Sequence, residues 1–210
     1  SADDDRERQP LRREHERLIG HAARSLEPGM PALLLMCGLS GSGKTWLARR
    51  LAERLLAVHV RSDVERKRRA GLGALARTRS GIAEDLYSSQ MSAAVYEDLA
   101  RAAQDILAGG YSVIVDAAFL GREQRARFAE LGARLRVPSR LVYCDAPLER
   151  LRSRIEERGR GAADPSEADA PVLEWQLNRF ERLLPDEPLE VIRVQTSDPG
   201  ALEMVLRRVG

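Results

Sequence analysis

Gly38-Leu39-Ser40-Gly41-Ser42-Gly43-Lys44-Thr45 has the spacing G-x-x-x-x-G-K-[ST], and each residue type in it suits the binding of a phosphate chain. The glycines let the backbone wind so that successive N–H groups converge. Lys44 brings a compact positive charge to β- and γ-phosphates, and the Thr45 hydroxyl is a hard oxygen ligand for Mg²⁺. The run follows the apolar segment Ala32 to Cys37 and opens a helix-like stretch, Trp46 to Leu56, whose dipole adds positive potential at the same point. Of the 34 Lys and Arg residues only Lys44 and Lys67 are lysines, so a lysine at this position is not a by-product of composition. A planar guanidinium is a poor substitute for a rotatable ammonium as a point-charge phosphate ligand. Residues Gly38 to Thr45, with Trp46 beside them, are therefore expected to bind a nucleoside phosphate.

Ligands of open parallel sheets lie beyond the carboxyl ends of the strands, so aspartates that follow the apolar runs are the next candidates for chemistry. Asp63, Asp116 and Asp145 stand there. Near a γ-phosphate, Asp63 can accept the proton of a substrate hydroxyl, and Arg66, one helical turn on, can hold an anionic substrate. Helix N-capping is the simpler duty open to Asp63, and one aspartate can serve both. Asp116 closes Val113-Ile-Val-Asp116 in the manner of a Walker-B aspartate and is expected to hold Mg²⁺, the alternative being an ordinary turn aspartate. Ala117 follows it where water-activating NTPases commonly carry an acid, which favours transfer over hydrolysis.

Arg150, Arg154 and Arg158 recur at i, i+4 and i+8 and so share a helix face, with Leu148, Leu151 and Ile155 as the buried stripe. The glycine-rich segment behind them suits a lid that carries Arg154 and Arg158 onto the charge developing in phosphoryl transfer. A solvated arginine face paired with Glu156 and Glu157 is the other possibility. Arg66-Lys67-Arg68-Arg69 is expected to be an exposed basic helix face, attraction of a phosphorylated substrate or an oligonucleotide end being the alternative. His15, His21 and His59 lack metal-ligand spacing and receive no role.

These side chains need a frame. From residue 31 onward, β-type runs (Leu33 to Cys37, Val58 to Arg61, Ser112 to Val115, Leu141 to Cys144, Val191 to Val194) alternate with helical stretches, which reads as α/β with a parallel sheet. The helices are expected near Lys44 to Leu56, Ser89 to Ala108, Arg122 to Leu135, Pro147 to Arg158, Pro171 to Leu183 and Pro199 to Arg208, with Gly109-Gly110 as a C-terminal stop. Ala70 to Leu86 and Gly159 to Ala170 read as loops, the latter with residues from 154 to 170 forming the lid. Residues 1–30 are expected to form an amphipathic helix and linker ahead of a kinase domain at 31–210, and the start at Ser1 fits a processed chain or a piece of a longer protein. The 210 residues, 43% of them hydrophobic, suffice for one full core. A net charge of +2 provides no global field for nucleic acid, and no run is long and apolar enough to span a membrane. Cys37 and Cys144 end apolar runs and are expected to be reduced and buried, in a cytoplasmic protein.

The motifs G-L-S-G-S-G-K-T, R-S-D-V-E-R-K-R, S-V-I-V-D-A-A-F, C-D-A-P-L-E-R-L-R-S-R-I-E-E-R and S-E-A-D-A-P-V-L-E together resemble a family of P-loop ATP-binding predicted kinases. That family is also found fused behind an aminoglycoside-phosphotransferase-like domain, and the resemblance covers about residues 32 to 200. More distantly the chain is similar to polynucleotide kinase, zeta-toxin, gluconate kinase and shikimate kinase. The resemblance implies a three-layer sandwich on a five-stranded parallel sheet in order 2-3-1-4-5, with ATP and Mg²⁺ as co-substrates and a hydroxyl as acceptor. It makes Gly38 to Thr45, with Lys44, the phosphate loop, Asp63 the acidic residue facing the acceptor, and Arg154 and Arg158 the catalytic lid pair. It places Thr196 to Asp198 near the adenine and lets Asp116 to Phe119 face either substrate or metal, beside the roles read above for Thr45 at Mg²⁺ and Arg66 on substrate. A hydroxyl-bearing small molecule is thus the expected acceptor. A nucleotide-dependent regulatory module and a polynucleotide 5′-kinase remain the alternatives.

Overall fold

The computed structural model describes residues 30–73, 89–160 and 170–209. The helix expected within residues 1–30, and most of the loops expected at Ala70 to Leu86 and Gly159 to Ala170, lie outside the described residues.

Strand β1 (Leu33–Cys37) is buried at every position, as a central parallel strand covered on both faces must be. Its side chains alternate between two cores. Leu33, Leu35 and Cys37 pack with Val95, Leu99 and Phe128 on one side, while Leu34 and Met36 meet Leu47, Leu51 and Val205 on the other. Strands β2 (Val58–Arg61), β3 (Val113–Asp116), β4 (Ser139–Asp145) and β5 (Glu190–Gln195) complete a five-stranded sheet in the order β2-β3-β1-β4-β5. Every pairing is parallel. Helices α1 (Lys44–Leu55), α2 (Ser62–Arg69), α3 (Ser89–Ala108), α4 (Arg122–Leu135), α5 (Leu148–Arg160), α6 (Ala170–Arg179) and α7 (Ala201–Val209) connect or flank the strands. With α3 and α4 on one face and α1 and α7 on the other, the result is the expected three-layer sandwich.

Local chemistry explains where elements stop. Gly110, at φ 83, ends α3, and the N–H groups of Gly110 and Tyr111 donate to the carbonyls of Leu107 and Ile106. The helix expected to run to Leu183 instead ends at Arg179. Phe180 stacks on Tyr143 with ring centroids 5.8 Å apart, and the Glu181 N–H donates to Leu120 O, so the chain leaves the helix axis. The stripe expected on α5 is shorter than its periodicity suggests. Leu151 and Ile155 are buried, but Leu148 at the helix start is 39% exposed. Leu151, Ile155 and Leu173 of α6 form a small third core that also takes in Leu39 of the glycine-rich loop, so α5 and α6 rest on that loop.

Cys37 and Cys144 are free and buried, as expected, and burial pushes each thiol up to about 12. Neither should carry appreciable thiolate near neutrality. The folded protein is therefore expected to resist iodoacetamide at pH 8 and to take up label at both positions in denaturant. Labelling of the native protein at the rate of an exposed cysteine would contradict this.

Candidate active site

The glycine-rich loop joins β1 to α1 and takes its shape from backbone that only glycine adopts readily. Gly41 and Gly43 have φ of 82 and 87, and a Cβ on Gly41 would stand 2.7 Å from Leu151 O. Three side chains from outside grip the loop. Gln176 Oε1 on α6 accepts the Ser40 N–H at 2.7 Å, and Arg154 Nη1 on α5 donates to Gly41 O at 3.1 Å. Thr196, just past β5, donates its hydroxyl to Ser42 O at 2.7 Å and accepts from Arg154 Nη1 at 3.2 Å. The C=O and the following N–H of a trans peptide point in opposite directions, so drawing Ser42 O outward turns the Gly43 N–H inward. Lys44 arches over the loop, its Nζ donating to Leu39 O at 2.9 Å. Trp46 is 42% exposed on the first turn of α1, with the Arg50 guanidinium 4.1 Å from its ring centroid.

Thr45 Oγ1 donates to Asp116 Oδ2 at 2.7 Å, so the hydroxyl and the carboxylate singled out in the sequence meet. Asp116 is buried at the end of β3, and the register that sets Arg61 of β2 opposite it also brings His59 near. His59 Nε2 lies 3.2 Å from Asp116 Oδ2, and Arg61 Nε lies 3.8 Å away. Burial favours the neutral acid, but the His59 hydrogen bond, the Lys44 charge and the Thr45 hydroxyl outweigh it and hold the carboxyl below its ordinary range. An ionised carboxylate beside a hydroxyl is a donor set suited to Mg²⁺, which binds through one or two protein oxygens and takes the remainder of its octahedron from water and phosphate. Thr45 and Asp116 are the residues that would hold it.

Asp63 is not a helix N-cap. Arg61 occupies that position, and Asp63 lies inside the first turn of α2. Its Oδ1 is 3.5 Å from Arg66 Nη1 and its Oδ2 is 3.9 Å from an Arg61 Nη2 nitrogen. The basic run is an exposed face only in its second half. Arg66 and Lys67 are buried, while Arg68 and Arg69 are paired with Glu65 and Asp98, because α2 packs against α3. Asp63 and Arg66 line a cavity of about 260 Å³ that begins at Lys44, Thr45 and Asp116. Of the lid pair, Arg154 is seated on the loop, Arg158 has its backbone in α5, and the Arg158 side chain lies outside the described residues.

Sequence reasoning missed several residues that shape this site. His59 received no role, although its alternation with Arg61 on a short strand was a signal of a polar face. Tyr96, Gln124, Trp175 and Gln176 also line the cavity, and nothing in the spacing of the sequence joins them to the loop. The turn after Asp116 depends on a buried ion pair. Phe119 sits at φ 49, its N–H donates to Tyr96 Oη at 2.9 Å, and Arg125 Nη1 donates to the carbonyls of Phe119 and Leu120 at 3.0 and 3.2 Å. Arg125 in turn makes two 2.9 Å hydrogen bonds to Glu187.

A glycine-rich loop between the first strand and helix of a 2-3-1-4-5 parallel sheet, with a Thr–Asp pair behind it, defines a P-loop nucleoside-phosphate-binding protein of the kinase fold. The chain belongs to the family described as AAA domain, whose model matches residues 33–183. An uncharacterized protein of Mycobacterium tuberculosis is 30% identical over 152 residues, a match covering 72% of this chain. The chain spans about 30% of the length of that relative. A sugar kinase of Janibacter sp. shares the fold with a TM-score of 0.61 at 21% identity, over 86% of this chain and 92% of the other. The Mycobacterium tuberculosis APS kinase, solved with AMPPNP and APS, has a TM-score of 0.57 at 21% identity, over 87% and 97%.

Proposed function

We propose that the chain is an ATP- and Mg²⁺-dependent phosphotransferase that moves the γ-phosphoryl group to a hydroxyl of a small molecule. The observation that carries this reading is the single cavity running from Lys44, Thr45 and Asp116 to Asp63 and Arg66, which joins a phosphate site to a carboxylate able to take a proton. The loop amides and Lys44 hold the phosphate chain, with Trp46 and Thr196 on the nucleotide side. When bound by Thr45 and Asp116, Mg²⁺ offsets phosphate charge. The acceptor oxygen forms its bond to the γ-phosphorus as the bond to the ADP oxygen breaks, and the hydroxyl proton passes to Asp63. Arg154, together with Arg158, neutralises the transferring group. Most of the acceleration then comes from positioning and electrostatics.

Burial of Arg66 and Lys67, and the pairing of Arg68 and Arg69 with Glu65 and Asp98, disfavour a polynucleotide 5′-kinase, which would present those cations unpaired to a strand. A purely regulatory nucleotide switch has no use for the Asp63 side of the cavity. The free, buried cysteines support a cytoplasmic setting, and no described helix is long and apolar enough to cross a membrane. We take residues 31–210 as the catalytic domain and residues 1–30 as a linker, and the 30% share of the mycobacterial relative leaves room in that relative for a partner domain.

The test is γ-labelled ATP with Mg²⁺ against sugars, aminoglycosides, nucleotide-sugars and oligonucleotide ends. Labelled product from a small-molecule hydroxyl is expected. Product from oligonucleotides alone would overturn the proposal. Asp63→Asn is expected to retain AMPPNP affinity within about twofold and to lose transfer by roughly 10²- to 10⁴-fold, the range of a positioned base. Weakened nucleotide binding with transfer unchanged would refute its role.

A further inference from the structure

The acceptor side of the cavity carries several hydrogen-bond donors, besides the hydroxyls of Ser62 and Ser92, which can give or accept. Gln176 and Gln124 both line it, and in each the carbonyl end is already taken. Gln176 Oε1 accepts the Ser40 N–H at 2.7 Å, and Gln124 Oε1 accepts the Gly121 N–H at 3.2 Å. A backbone N–H pairs only with the oxygen of a side-chain amide, so each Nε2 amino group is the end left to meet the cavity. Tyr96 Oη accepts the Phe119 N–H and thereby keeps its own proton to give. Arg66 adds a guanidinium, itself paired with Asp63.

Carbonyls that the turn beyond Ala117 could have offered are engaged elsewhere: Ala118 O accepts the Gly38 N–H, and those of Phe119 and Leu120 are held by Arg125. Of the two carboxylates among the described lining residues, Asp116 is bound to Thr45 and His59, which leaves Asp63. Every hydroxyl of a neutral polyol brings a proton that needs an acceptor, and a buried one without a partner costs free energy. A carboxylate or phosphate brings none and accepts from several donors at once.

We infer that the acceptor is an alcohol bearing an oxyanion, carboxylate or phosphate. The oxyanion is held by Gln124 Nε2, Gln176 Nε2, the Tyr96 hydroxyl and Arg66, and a single hydroxyl is presented to Asp63. This inference rests on the phosphotransfer reading and specifies its substrate class. It also gives α6 a role, since Gln176 ties the phosphate loop to the oxyanion subsite through one amide group.

The test uses the full chain saturated with AMPPNP and Mg²⁺, whose binding is measured separately by calorimetry. Tryptophan emission, with Trp175 in the cavity wall, follows titration with D-glycerate, glycerol 3-phosphate and glycerol, and then with D-gluconate, glucose 6-phosphate and glucose. At least one oxyanion compound is expected to bind about tenfold or more tightly than its neutral parent, the strength of a hydrogen bond to a charged group. The carboxylate and phosphate arms show which oxyanion fits. Gln124→Glu and Gln176→Glu keep an oxygen for Gly121 and Ser40 but replace the amino donor with a negative oxygen. Each is expected to weaken oxyanion binding about tenfold. The inference is overturned if neutral parents bind as tightly, if both Glu variants bind the oxyanions like wild type, or if AMPPNP binds and none of the four oxyanions does. Failure of AMPPNP itself to bind would instead bring down the phosphotransfer reading, and this inference with it.

Discussion

Lys44→Ala is expected to lower phosphoryl transfer by roughly 10³-fold, the scale set by losing a preorganised charge at a developing phosphoryl group. No neighbour takes over its duty. The chain's other lysine, Lys67, is buried in α2. Lys44→Arg should rescue little, because a planar guanidinium cannot follow the arch that brings Nζ to 2.9 Å from Leu39 O. The check is the initial rate with γ-labelled ATP and the acceptor identified for the wild type, alongside thermal melting. A variant that melts normally and keeps a tenth of the activity would show that the loop does not work through this lysine.

Arg125→Met is expected to cost about 3–5 kcal/mol of stability, the range for stripping one partner from a buried ion pair. Neither side chain of the Arg125–Glu187 pair exceeds 2% exposure, and the same guanidinium satisfies the carbonyls of Phe119 and Leu120. Removing it leaves a buried carboxylate without its partner and takes one hydrogen bond from each of two carbonyls in one stroke. For a domain of this size the loss corresponds to a fall in Tm of roughly 10 °C. Burial raises Glu187, but its hydrogen bonds from Arg125 and the Leu184 N–H prevail and keep the carboxyl low. A carboxyl depressed in the fold contributes stability above its unfolded pKa and loses it as pH falls through the folded one. The wild-type protein is thus expected to hold its Tm down to about pH 4.5 and to lose it in acid. A Tm for Arg125→Met within a degree or two of wild type would contradict the role given to the pair. Because that pair also holds the turn beside Asp116, the variant should bind nucleotide less tightly even where it is folded.

The parts of this molecule that obey a local period were legible in the sequence. Leu33 to Cys37 can only be a strand buried on both faces, and the glycine spacing before Lys44 and Thr45 needs a strand behind it and a helix ahead of it. Asp116 could be placed at the sheet's carboxyl edge because the apolar run before it ends there. What could not be read was anything decided by side chains far apart in the chain. The bond from Gln176 to Ser40 spans 136 positions and that from Arg125 to Glu187 spans 62, and neither partner is marked by spacing. Arg66 and Lys67 looked like a solvated face because charge runs usually are, yet packing of α2 on α3 buries both. Capping was open to Asp63 because it follows a strand, but the helix begins two residues sooner than a cap there requires, at Ser62.

Calorimetric titration of AMPPNP with Mg²⁺ into the purified wild-type chain and into Lys44→Ala tests the central claim most directly, since it needs no knowledge of the acceptor. A saturable site, one per chain, is predicted for the wild type, with affinity at least about tenfold weaker in the variant, as expected when a charged hydrogen-bonding partner is removed. No heat from the wild type, or equal affinity in the two proteins, would contradict the assignment of Gly38 to Thr45 as the cradle of a nucleoside triphosphate.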